Sequence, residues 1–272
     1  MRERSVVERT DRPRTVTSIA RDLRALGVKR GMTLLVHSSL SSMGWVAGGA
    51  QAVIEALGKV LGATGTLVMP AHSGDFSDPV RWENPPVPKQ WWPEIRKHWP
   101  AFDAAVTPTR GMGAIAECFR SLPSVIRSDH PQESFAARGP NARTITAEHA
   151  LDYGMGERSP LARLYDLDAH VLLLGVGYRN CTSAHLAEYR TEWPGKAEFR
   201  DGAAVLVNGK RRWVRFNDVD GSDEDFDTMG AAFERSVAGV RSGSIGSAPS
   251  KLFRQRALVD FAVEWLRENR IG

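Results

Sequence analysis

Cysteine is scarce: Cys118 and Cys181 are the two in 272 residues. Two cannot build a disulfide framework, and they lack the paired spacing of a metal site. A reduced, cytoplasmic setting is the simplest for such a chain. As a nucleophile Cys181 has no partner at a known spacing; it reads better as a small buried residue. No apolar run approaches the roughly 18 residues of a membrane span. His-Glu-x-x-His is absent, a metal at His185 and Glu188 would need further ligands, and none is expected. Gly175-Val-Gly177 lacks the third glycine of a dinucleotide fingerprint. The acidic run ending at Asp227 fails the alternating ladder of a calcium loop. Neither sign of charge dominates: 36 basic and 32 acidic residues leave +4, with a pI near 9.3. That mild excess suits a phosphate-bearing ligand and does not require nucleic acid. Residues 1–14 carry five arginines and no apolar core segment, which excludes a secretory signal. A flexible basic tail is expected there, followed by a single domain over 15–272.

What is present is an ordinary globular balance, 42% hydrophobic and 25% charged, in a chain long enough to bury a substantial core. Thr17–Leu26 spaces Ile19, Leu23 and Leu26 on one face and stops at Gly27, a helix with its C-cap. Thr33–Ser38 reads as a buried strand, Ala50–Leu61 as an amphipathic helix and Thr66–Ala71 as the next strand. Met112–Leu122 and Pro160–Leu167 read as helices. His170–Gly177 is a buried strand closed by a tight turn, followed by a helix that Thr182 or Ser183 is free to cap. Two apolar-bearing runs about Asn208-Gly209 predict a hairpin. Helices over 225–240 and 249–270 close the chain. Strands separated by helices predict an α/β fold, a mostly parallel, helix-covered sheet with a C-terminal hairpin and helices. Ser73–Thr107 breaks the rhythm, with six of the fifteen prolines and Trp82, Trp91, Trp92 and Trp99. The tryptophans argue for order: either a flap over a site or a packed excursion.

Several groups carry candidate chemistry. His185 sits in the first turn after a strand, where open α/β sheets place their ligands, so it is a candidate catalytic base. His37, Ser38 and Ser39 end another strand, where hydroxyls and amides bind phosphate or carbonyl oxygen, although serine turns follow many strands. Thr109–Gly113 pairs Arg110 with a glycine-rich helix start, which favours anions or is a plain turn. Arg127 and His130 share a loop that a surface histidine would also explain. Asp218–Asp227 holds six carboxylates in ten residues. Acids at a helix start explain Asp223–Asp227. Asp218 and Asp220 precede that helix, alternate at a strand end and so share a face, which suits a polycationic ligand.

Taken together, Leu34–Leu40, Gly65–Pro70, Thr107–Glu117, Arg127–Pro131 with Ser134–Ala137, Gly156–Leu161 and Val171–Glu188 resemble the aminoglycoside 3-N-acetyltransferases. The likeness runs in order over roughly residues 16–265. It implies a three-layer α/β fold and acetyl transfer from acetyl-CoA to the 3-amino group of a 2-deoxystreptamine ring, without an acyl-enzyme. His185 of Thr182-x-x-His185-x-x-Glu188 matches the family's base, and Glu188 is placed to orient it or to face solvent. Asp218, Asp220 and, more loosely, Asp75 match acids that receive the antibiotic's ammonium groups. His37, Ser38, Ser39, Leu40, Arg110, Gly111, Met112, Ser134 and Phe135 fall in regions that hold the coenzyme. The chemistry suits these residues, since an ammonium cannot attack a thioester until a base takes its proton, and an imidazole does so near neutral pH. No membrane or nucleic-acid partner is implied, and a homodimer is left open. Two alternatives stand beside this reading: the same fold acting on another amine, such as a biosynthetic intermediate, and a silent CoA- or polyamine-binding module.

Overall fold

The computed structural model describes residues 3–270. Its strands are β1 (Thr33–Ser38), β2 (Thr66–Pro70), β3 (Ile126–Arg127), β4 (Phe135–Arg138), β5 (His170–Leu174), β6 (Glu198–Val207), β7 (Lys210–Val219), β8 (Arg241–Ile245) and β9 (Ala248–Arg254). Its helices are α1 (Glu3–Glu8), α2 (Val16–Leu26), α3 (Gly49–Leu61), α4 (Trp92–His98), α5 (Gly113–Arg120), α6 (Ala142–Thr146), α7 (Pro160–Asp166), α8 (Ser183–Arg190), α9 (Phe226–Ser236) and α10 (Gln255–Asn269).

The continuous apolar runs of β1, β2 and β5 are buried on both faces because they form the centre of a seven-stranded sheet, ordered β3-β4-β2-β1-β5-β9-β8. Leu34 registers with Leu67 on one side and with His170 on the other, both in parallel. Side chains alternate across the pleat. Leu34, Val36, Leu172 and Leu174 meet α2, α3 and α5, whereas Leu35, Val171 and Leu173 meet α6–α10. Each such leucine contributes about 1.5–3 kcal/mol by burial. The result is the expected helix–sheet–helix sandwich.

Parallel pairing is confined to that centre. β4 runs antiparallel to β2 and β3, and β9 antiparallel to β5 and β8, so four of six pairings in the sheet are antiparallel. The stretch 249–254, expected as helix, is strand, and α10 begins only at Gln255. Its physical reason is the edge of β5, whose backbone groups β9 satisfies. The hairpin is a separate two-stranded sheet, β6 with β7. Asn208 and Gly209 turn it at positive φ, 51° and 71°, as a two-residue connection requires. Helix α2 ends as read, with Gly27 at φ 113°, and its start, for which no cap was expected, is closed by a capping box of Thr15 and Ser18.

Two segments differ from, or sharpen, the expectation. Over 3–14 the chain is docked rather than frayed: Val6 is buried, Arg14 N donates to Trp45 O, and Ala47 N donates to Arg14 O. Composition alone hides a backbone pairing of this kind. The tryptophan-rich insertion is ordered against the hairpin. Arg96 grips Asp78 through both oxygens, Asp78 N donates to Asp201 of β6, and Phe102 N donates to Ala204 O. Trp82 and Trp99 meet edge to face at 5.2 Å.

Candidate active site

The carboxyl ends of β1, β2 and β5 bring three imidazoles into one region: His37, His72 and His185. The route from β5 to His185 needs glycine. Gly175 turns at φ 71°, where a Cβ would stand 2.7 Å from the Ser42 side chain. Helix α8 then starts at Ser183 with no side-chain cap from Thr182, whose hydroxyl instead lies 3.5 Å from His37 Nε2. The Ser183 hydroxyl is buried without a partner, so neither residue serves as the expected cap.

His185 and Glu188 are one turn apart on α8, and Nδ1 lies 2.5 Å from Oε2. The His185 side chain keeps 22% of its surface exposed, against 1% for Glu188. The alternative of a solvent-facing Glu188 is thereby removed. Its other oxygen, Oε1, accepts from Arg270 Nη1 at 2.5 Å and from Ser222 N at 2.9 Å. Burial pushes the Glu188 carboxyl up, but the bonds from His185, Arg270 and Ser222 outweigh it and hold it below the ordinary range. Phe226 packs on the His185 ring at 4.8 Å. Burial and the neighbouring His185 push His37 down to about 3, and burial above all does the same to His72. Both are neutral at physiological pH. The arrangement leaves one partly exposed imidazole whose Nδ1 is bound to a buried carboxylate, with Nε2 free of any hydrogen bond among the described residues.

Two cavities open past the ends of β1 and β2, and neither is lined by His185 or Glu188. The first, of about 580 Å³, is lined by Ser38, Ser39, Leu40, Trp45, Gly111 and Met112. Ser39 N donates to Leu174 O, which ties the serine turn to β5. Five of the residues expected to hold coenzyme therefore share one cavity. The others do not. His37 is buried behind the serine turn, Arg110 points away to Asp75 at 2.9 Å, and Ser134 and Phe135 are wholly buried. Ser134 instead accepts from Arg127 and donates to Ala71 O, and Phe135 belongs to the core.

The second cavity, also about 580 Å³, is lined by His72, Asp75, Trp82, Glu83, Trp99 and Arg110. The insertion is thus a wall of a pocket. Asp220 is exposed and paired with Arg81 of the insertion at 2.9 Å. Asp218 is 2% exposed and accepts from the Tyr189 hydroxyl and Val219 N. The two do not share an open face, because strand alternation stops at Val219 and Asp220 lies beyond it. Burial raises Asp218, together with Asp201 and Glu133 beside it. Arg127 and His130 are buried too: Arg127 donates to Ala71 O and Ser73 Oγ and braces the start of the insertion. Burial pushes the Cys181 thiol up to about 12, which disarms it as a nucleophile. Sequence reasoning missed Arg270, Ser222 and His72.

A partly exposed histidine bound to a buried carboxylate, past the carboxyl end of a central parallel strand, marks an α/β protein with its candidate site where such sheets hold ligands. The family model of aminoglycoside 3-N-acetyltransferase matches residues 35–267, and the chain belongs to that family. It is 48% identical over 267 residues to the SPbeta prophage-derived aminoglycoside N(3')-acetyltransferase-like protein YokD of Bacillus subtilis, covering 98% of this chain and 97% of that one. To aminoglycoside N(3)-acetyltransferase VII of Streptomyces paromomycinus it is 39% identical, covering 98% and 96%. The YokD crystal structure superposes with a TM-score of 0.95 over 98% of both chains. AAC-IIIb in binary complex with CoASH does so with 0.85 at 33% identity, over 96% and 98%.

Proposed function

We propose that the protein transfers the acetyl group of acetyl-CoA directly to the 3-amino group of an aminoglycoside's 2-deoxystreptamine ring, with His185 as general base. The observation that carries this reading is the 2.5 Å bond between His185 Nδ1 and the buried Glu188, which fixes the imidazole and leaves Nε2 to receive a proton. Acetyl-CoA supplies the acetyl group as an activated thioester. The serine turn and Gly111–Met112 line a cavity at the end of β1 that we assign to the coenzyme, and a relative with this fold binds CoASH. The amine gives a proton to Nε2 as its nitrogen bonds the thioester carbon, the carbon–sulfur bond breaks, and the thiolate is protonated to free CoA. Glu188 keeps the ring oriented and stabilises the imidazolium. Asp75, Glu83 and Asp220 attract the ammonium groups, and the cytoplasm, where acetyl-CoA is made, is the compartment.

The alternative of another amine, such as a less highly charged biosynthetic intermediate, is favoured by one observation: Asp75 and Asp220 already carry arginines, and Asp218 is buried. Thiol release from acetyl-CoA, measured as aminoglycosides are added singly, decides between acceptors. His185→Ala should lose roughly 10²–10⁴-fold in kcat while remaining folded. Near-normal turnover in that folded variant removes His185 as the base.

A further inference from the structure

Arg270 lies 82 positions from Glu188 and yet meets it, Nη1 to Oε1, at 2.5 Å. Its Nε and Nη2 donate to both oxygens of Asp225, at 2.7 and 2.8 Å, and Nη2 reaches Ser222 O at 2.6 Å. The guanidinium lies over Trp193, 5.0 Å from the ring centroid. A planar fork with this many partners is fixed in a way that a flexible ammonium is not. Ser222 N reaches the same oxygen because Gly221 has no side chain; a Cβ there would stand 2.5 Å from Glu188 Oε2. Both oxygens of Glu188 are thus occupied, one by the imidazole and one by this clamp.

We propose that Arg270, anchored by Asp225, is a positioning residue that locks the Glu188 carboxylate so that Oε2 faces His185 Nδ1. The inference rests on the reading of His185 as the base. Charge gives it a signature that a merely structural arginine would lack. The other groups around the pair are His37 and His72 from the ends of β1 and β2, both neutral, and Asp225 at the start of α9. Asp223 in the preceding loop is engaged by Arg179 at 3.2 Å. Removing the guanidinium leaves Glu188 and Asp225 uncompensated, so the His185–Glu188 pair binds its proton more tightly. Removing the Asp225 charge leaves Arg270 in excess and loosens that proton.

The test is histidine NMR titration of the full chain, with the His185 signal assigned by its loss in His185→Gln, alongside kcat for aminoglycoside acetylation. Arg270→Gln should raise the titration midpoint and lower kcat roughly ten- to hundredfold. Arg270→Lys should leave the midpoint near wild type and recover part of kcat, and Asp225→Asn should lower the midpoint. An unmoved midpoint with full kcat in Arg270→Gln overturns the proposal. If Arg270→Gln fails to fold, Arg270→Lys and Asp225→Asn decide by the same two readouts. Should His185→Gln keep its turnover, the base assignment fails, while the titration still judges the Arg270 clamp separately.

Discussion

Asp218 and Asp220 stand two positions apart and meet opposite fates. Asp218 ends inside, accepting from Tyr189 and Val219 N, while Asp220 passes the end of β7 into solvent and pairs with Arg81. Removing Asp218 strands a buried hydroxyl and a buried amide, each costing on the order of 1–3 kcal/mol. Removing Asp220 breaks an exposed pair that is worth little. Asp218→Ala should therefore lower the denaturation midpoint, whereas Asp220→Ala should leave stability within about 0.5 kcal/mol and raise KM for the aminoglycoside. Equal destabilisation by the two, in urea melts, would contradict this division. The candidate site was legible in sequence where residue type and strand end coincide, as at His185, Ser38 and Ser39. It was not readable where partners come from afar. Nothing near Arg270 signals Glu188, and the two aspartates share a sequence pattern that burial alone separates.

At the scale of elements, the loop from β7 to α9 serves the site through its shape. Asp220 N donates to Ala197 O and Ser222 N to Glu188, with Gly221 between them pressed on the carboxylate. An added methyl at 221 would fall inside the 3.0 Å that real Cβ atoms observe. Gly221→Ala should displace Glu188 and lower kcat while leaving KM for acetyl-CoA near wild type; unchanged kcat would show that the loop yields without cost to the pair. The central strands were legible because a chain buried on both faces writes an unbroken apolar run, and the hairpin because Asn208-Gly209 permits few other conformations. β9 was not. Ala248–Arg254 follows a tight turn at Gly246, but its short mixed pattern fits a helix start equally well until β5 demands an edge partner.

Over the whole molecule, burial has fixed two sets of titratable groups in opposite senses. His37, His72, His130 and His149 are depressed, chiefly by desolvation. They are neutral when folded, so their stabilising share is present above the unfolded value near 6.5 and is lost as pH falls toward 3–4. Glu133, Asp201 and Asp218 are raised, first by burial. For these the unfolded chain gives up its proton first, so stability declines as pH rises from the unfolded value toward the folded one. Glu133 is the most exposed to this penalty, since its Oε2 is buried without a hydrogen-bond partner and Asp218 and Asp201 add like charge. Glu133→Gln removes one acid of the raised set and leaves the histidines untouched. Its melting temperature relative to wild type should therefore climb as pH goes from 5 to 8, whatever constant offset the amide brings. A difference that stays flat across that range would mean that Glu133 is ionised in the fold at no cost.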